Sequence, residues 1–117
     1  MNQNVVLEKS KKFAIRIINL YKFLINEKKE FVLSKQILRS GTSVGANVKE
    51  AVNAQSRADF ISKMYVALKE AGETEYWLEL LYKSDYINRN QFENYYNTNE
   101  EIIRIITTIL KTAKKNL

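Results

Sequence analysis

Apolar residues recur along this chain at spacings of three and four, with no stretch of strict alternation, so the pattern predicts helices throughout. Four segments separate. In the first, from Val5 to Glu27, Val6, Phe13, Ile17, Leu20 and Leu24 fall on one stripe, widened by Ala14, Tyr21 and Ile25, and the polar cluster Asn26 to Glu30 ends it. The second is expected to start after Ser34 as N-cap and to carry Ile37, Val44, Val48 and Ala51 inward as far as Ala54. The third opens with Ser56 and Asp59 spaced as a capping box, keeps Phe60, Met64, Ala67, Leu68, Ala71, Leu78 and Leu81 on one face, and ends near Ser84. The fourth has the clearest start: Asn88 as cap, Gln91 three residues on, and Ile87 and Phe92 placed as a hydrophobic staple. Phe92, Tyr95, Ile102, Ile103, Ile106, Ile109 and Leu110 carry it to Lys111, Lys114 and Lys115, cations suited to the negative end of a helix dipole.

The middle of the second segment resists local propensity. Ser40 to Asn47 contains almost no good helix former, yet the apolar period passes straight through it. We therefore expect a continuous helix in which Gly41 and Gly45, four apart, let a neighbouring helix backbone come close. A glycine-rich phosphate loop is the rival reading, but no Lys-Ser or Lys-Thr pair follows Gly45 and no strand precedes it.

A chain of 117 residues with three glycines and no proline fits one domain, residues 1–117. Four helices joined by short connections make an all-α, antiparallel up-down-up-down four-helix bundle. The longest charge-free run, Ser40 to Val48, is nine residues, far short of the roughly 20 needed to span a bilayer. Glu8 and Lys9 stand where a signal peptide keeps its apolar stretch. The expectation is a cytoplasmic protein with no membrane partner.

The absence of cysteine and histidine excludes thiol nucleophiles, disulfides, Cys/His zinc sites, Ser-His-Asp triads and Glu-x-x-His di-metal sites. We expect no enzyme, no metal and no cofactor. Net charge is +6, and it is uneven: residues 1–63 carry 12 Lys+Arg against 5 Asp+Glu, whereas residues 64–117 carry 7 against 8, so +7 faces −1. The imbalance points to a polyanionic partner for the first half, against a plain lysine-rich helical surface.

On the first helix Lys9, Lys12, Arg16, Asn19 and Phe23 step by threes and fours as a basic stripe pointing away from the core, able to follow a phosphate backbone with Phe23 or Tyr21 for stacking; a solvated charged face explains it equally. Arg39 and Lys49 are the next candidates for nucleic-acid contact. Arg39, Ser43, Asn47 and Glu50 line one polar face of the second helix, while Glu70 and Glu73 flank Trp77 on the third. Glu75 falls near the core and should meet a cation, hydroxyls or a protonated partner. Ser43, Asn47, Glu50, Glu73 and Glu75 are expected to form a polar network that fixes register or a subunit contact; an acid/base couple of Glu73 and Glu75 is the rival. Val66, Trp77 and Leu80 lie off the third helix's core stripe, as do Ile15, Phe23 and Ile105 on their helices, which favours a homo-oligomer with Trp77 near its interface.

The run Gln36 to Ala51, containing Ser43-x-x-x-Asn47-Val48-x-Glu50, followed by Phe60 to Lys63 and by Ala67 to Leu78 with Glu73 and Glu75, resembles a bacterial four-helix-bundle family named for proteins encoded in intervening sequences of 23S ribosomal RNA genes. More remotely it is similar to the accessory variability protein of diversity-generating retroelements. The resemblance covers nearly the whole chain. It implies a left-handed antiparallel bundle, assembly as a homopentamer, a basic surface that meets structured RNA or DNA, and no enzymatic activity. Gly41, Gly45 and Gly72 depart from the more regular helices of many relatives. Two functions compete: a nucleic-acid-binding oligomer, and a protein-interaction or scaffold module without nucleic-acid binding.

Overall fold

A computed structural model describes residues 3–115 and resolves the periodic segments into α1 (Gln3–Asn26), α2 (Leu33–Val52), α3 (Arg57–Lys83) and α4 (Arg89–Lys115). They lie side by side in a rod of 47 × 21 × 18 Å. Cross-helix contacts fix the topology: Gly41 meets Ile17 and Gly45 meets Ser10, Ser40 meets Thr74, Asn99 meets Ala71, and Lys9 meets Glu101. In each case the later helix runs back along the earlier one, so the four form an antiparallel up-down-up-down bundle. The predicted stripes are its core, with Phe13, Ile17, Leu24, Ile37, Leu78 and Ile102 fully buried.

α2 is unbroken through Ser40–Asn47. Its poor helix formers satisfy their own polar atoms inside the helix: Thr42 Oγ1 donates to the Leu38 carbonyl at 2.7 Å, Ser43 Oγ to that of Arg39 at 2.6 Å, and Asn47 Nδ2 to that of Ser43 at 2.8 Å. A Cβ on Gly45 would stand 3.4 Å from the Ser10 carbonyl oxygen, the close backbone approach expected of it. Gly41 instead abuts the Ile17 side chain, and Gly72 has nothing near it. A buried hydrogen bond, Thr74 Oγ1 to Ser40 Oγ at 2.9 Å, pins α2 to α3, and Asn99 Nδ2 donates to the Ala71 carbonyl at 2.9 Å between α3 and α4.

The helix starts follow the sequence with one correction. Ser56 Oγ accepts from the Asp59 N–H at 3.1 Å, and Asn88 and Gln91 form a reciprocal capping box, each side-chain oxygen accepting the other's backbone N–H at 2.8 Å. Ser34, however, is not the cap of α2. It is buried within the first turn, and the carboxylate of Glu30, itself buried, accepts from the backbone N–H groups of Val32, Leu33 and Ser34 at 3.2, 2.9 and 2.7 Å. An ionised carboxylate at the positive end of the dipole caps more strongly than a hydroxyl. α3 ends in a Schellman motif: Asp85 takes a left-handed conformation (φ 66°), its N–H donating to the Tyr82 carbonyl and that of Tyr86 to Leu81.

Candidate nucleic-acid interface

The α1 stripe does not point away from the bundle; it runs along the seam with α4. Lys9 pairs with Glu101 at 3.1 Å. The Arg16 guanidinium donates to Thr98 Oγ1 at 2.9 Å and to Asn94 Oδ1, and lies over the Tyr95 ring at 4.7 Å. Tyr95, its phenol pushed up by burial, returns a hydrogen bond to the Arg16 carbonyl at 3.4 Å. Two of the stripe's three cations are therefore spent holding α1 to α4, and Lys12 remains exposed without an ion pair among the described residues. Periodicity tells which residues share a face but not which neighbour that face meets.

Arg39 is likewise engaged. It reaches Glu70 at 3.1 Å and Glu73, and Trp77 Nε1 donates to the same Glu73 carboxylate at 3.2 Å. Hydrogen bonding to Glu70 and then Glu73 holds Arg39 above its ordinary value, and the Arg39 hydrogen bond, followed by that of Trp77, lowers Glu73. Ser43 and Asn47 bond within α2, and Glu50 pairs with Lys63 at 3.1 Å.

Glu75 belongs elsewhere. Two residues along a helix are about 200° apart, so it leaves Glu73 and meets α4, sharing a hydrogen bond with Glu100 and another with Tyr96. The bond to Glu100, then burial, then the charges of Glu100 and Glu79 push its carboxyl up to about 7, with Tyr96 acting against them. The expected five-residue network is thus not one network: Ser43 and Asn47 bond within α2, Glu50 pairs with Lys63, Glu73 with Arg39 and Trp77, and Glu75 with α4, so Glu73 and Glu75 are no couple. Because the folded chain holds this proton up to about pH 7 while an unfolded glutamate releases it near 4.3, its contribution to stability is present below that lower value and lost as pH rises to about 7. We expect Glu75→Gln to be more stable than wild type at pH 8 by about 1 kcal/mol, after discounting for solvent screening, and to gain nothing at pH 4. Melting curves at the two pH values check the sign.

Trp77 is half-buried against the core rather than standing free, and Leu80 is half-buried too, while Val66 is exposed, as are Tyr65 and Tyr76 of the same helix. Among the terminal lysines, Lys114 donates to the Tyr65 hydroxyl at 2.9 Å, whereas Lys111 and Lys115 are exposed.

Several exposed cations also line the other side of α1. Lys11 and Lys49 flank a groove of about 360 Å³ between α1 and α2, floored by Ala14, Gly45 and Ala46. Lys22, eleven residues beyond Lys11, shares its side of α1, and Lys35, fourteen before Lys49, shares its side of α2. All four are exposed. Lys11 has only a 3.5 Å contact with the equally exposed Glu8, and the other three have no ion pair among the described residues. Lys11, Lys22 and Lys35 were not among the sequence-derived candidates. The signal was the eleven- and fourteen-residue spacing on two helices whose small residues meet.

The chain matches the description of the 23S rRNA-intervening sequence proteins over residues 2–108. It is similar to a crystal structure of a protein of unknown function from the S23 ribosomal protein family of Bacteroides thetaiotaomicron. The identity is 63% and the TM-score 0.94, covering 95% of this chain and 99% of that one. No curated protein matches it. Among the described residues no helix is long and apolar enough to cross a membrane.

Proposed function

The chain belongs to the 23S rRNA-intervening sequence protein family, and we propose that it is a non-catalytic, homo-oligomeric, cytoplasmic RNA-binding protein whose phosphate contacts run along the α1/α2 seam. The observation that carries this reading is the set of ammonium groups flanking that seam without an ion pair among the described residues, Lys22, Lys35 and Lys49 with Lys11 beside them, whereas Lys9, Arg16 and Arg39 are engaged across the α1/α4 and α2/α3 seams. The family description, which refers to 23S rRNA, supports RNA as the polyanion. Phosphate contacts of this kind position a ligand without reading its sequence. The exposed face of α3, with Val66 and Tyr76, supports self-association, and repetition of each seam by symmetry adds avidity.

Titration of a labelled RNA hairpin at about 50 and 200 mM salt tests the reading. Replacing Lys35 and Lys49 with glutamine should weaken binding about tenfold at the lower salt and flatten the log–log slope by roughly 0.7 to 0.9 for each phosphate that is no longer neutralised. Light scattering on the same samples should give a mass well above one 13.7 kDa chain. Replacing Lys9 and Arg16 should instead lower the melting temperature and leave the slope unchanged. Wild type that fails to bind at low salt leaves the scaffold reading in its place.

A further inference from the structure

At one end of the bundle α1's last turn meets the α3–α4 turn, and a depression of about 400 Å³ opens between them, lined by Phe23, Lys28, Asp85, Tyr86, Asn88 and Gln91. That is within the range of small-molecule sites. Its chemistry differs from the lysine seam: aromatic rings, two side-chain amides, one carboxylate and one ammonium converge on one small volume.

Two structural motifs set what each polar group offers. The capping box ties up both amide oxygens, Asn88 Oδ1 on the Gln91 N–H and Gln91 Oε1 on the Asn88 N–H. The NH₂ groups of both side chains remain to donate. The Schellman turn places Asp85, in its left-handed conformation, directly before Tyr86, so the cavity's one acidic acceptor adjoins an aromatic ring. Lys28 lies 5.8 Å from the centroid of Phe23 on an exposed side chain free to swing outward.

We infer that this cavity takes one unpaired guanine nucleotide of the bound RNA. Guanine alone among the bases presents two adjacent N–H donors, N1–H and the N2 amino group, beside the O6 acceptor. The carboxylate of Asp85 accepts the two donors, and an amide N–H of Asn88 or Gln91 donates to O6. Adenine would set its N1 lone pair against the carboxylate, and uracil would offer it one N–H between two carbonyls. Phe23 and Tyr86 supply stacking surface, as aromatic side chains do for splayed-out bases, and Lys28 meets the phosphate. This inference rests on the RNA-binding reading but uses different residues, so the two fail separately.

The test compares hairpins of identical stem whose single-stranded loop carries either one guanine or adenine in its place. Wild type should prefer the guanine loop about tenfold, near the lower end of what a bidentate base contact discriminates. Asp85→Asn should abolish the preference while keeping the salt slope; asparagine suits a left-handed, exposed position, so the fold is not at risk. Phe23→Leu should weaken both loops together. Equal affinity of wild type for the two loops overturns the inference and leaves the phosphate reading standing. If neither hairpin binds, the RNA reading falls, and guanosine monophosphate alone, added to about 10 mM, decides the cavity. Shifts of the Asn88 and Gln91 side-chain amide resonances, larger than adenosine monophosphate produces, support it; their absence overturns it.

Discussion

Gly41→Leu destabilises the bundle by about 3 kcal/mol, the upper end of the usual cost of overpacking. A Cβ at Gly41 would lie 2.8 and 2.9 Å from Ile17 Cγ2 and Cγ1 and 3.3 Å from Ile17 Cβ. Ile17 cannot evade it by rotation, because it is fully buried and branched at the atom nearest its own backbone. Either α1 and α2 move apart along a seam of small residues or Ile17 leaves its rotamer. The other two glycines give the contrast. Gly72 has nothing within 4 Å, so Gly72→Ala should gain up to about 1 kcal/mol of helix propensity, and Gly45→Ala, with its Cβ at ordinary contact distance, should gain less. Chemical denaturation of the three variants gives the order, and Ile17→Ala in the Gly41→Leu background should recover part of the loss as a coupling energy. A Gly41→Leu variant as stable as wild type would mean that α1 does not pack on α2 in this register.

Gly41 and Gly45 show how far the sequence reaches. Their spacing of four, inside an apolar period that never breaks, marks the face that meets another helix, and α2 is continuous there. Which glycine is the tighter could not be read, because that depends on the residue opposite, and the partner's register is set by the whole bundle. The same limit governs the cations. Lys9, Lys12 and Arg16 share a face by periodicity, but the antiparallel return of α4 brings Glu101 to Lys9 and Thr98 to Arg16, and leaves Lys12 free. Lys35 looks unremarkable on α2 alone and Lys49 stands there only as a secondary candidate; beside α1 the two join Lys11 and Lys22 on one side of the bundle. The Glu73 and Glu75 grouping was a different case: about 200° of helical rotation separates them, so the sequence already held their separation, and the paired appearance came from adjacency in the motif.

Glu30 is the residue whose importance was least legible, and its removal should cost about 2 kcal/mol. In the sequence it is one more polar residue of a helix-ending cluster. In the fold, its own N–H donates to the Leu24 carbonyl at 2.9 Å, which closes α1, while its carboxylate collects the first N–H groups of α2. The side chain thus joins the end of one helix to the start of the next across a turn in which Lys29 takes φ 55°. Glu30→Ala strands three donors. Val32 and Leu33 stand partly in water and recover solvent bonds, whereas Ser34 is fully buried and does not, so the penalty exceeds that of an ordinary cap deletion of about 1 kcal/mol. Glu30→Gln retains one acceptor oxygen without the charge and should recover about half. Hydrogen exchange locates the effect: Glu30→Ala should raise the exchange of the Leu33 and Ser34 amides far more than that of the Asp59 or Gln91 amides, whose caps are intact. Uniform acceleration along all four helices would instead assign Glu30 a global role and not that of a cap.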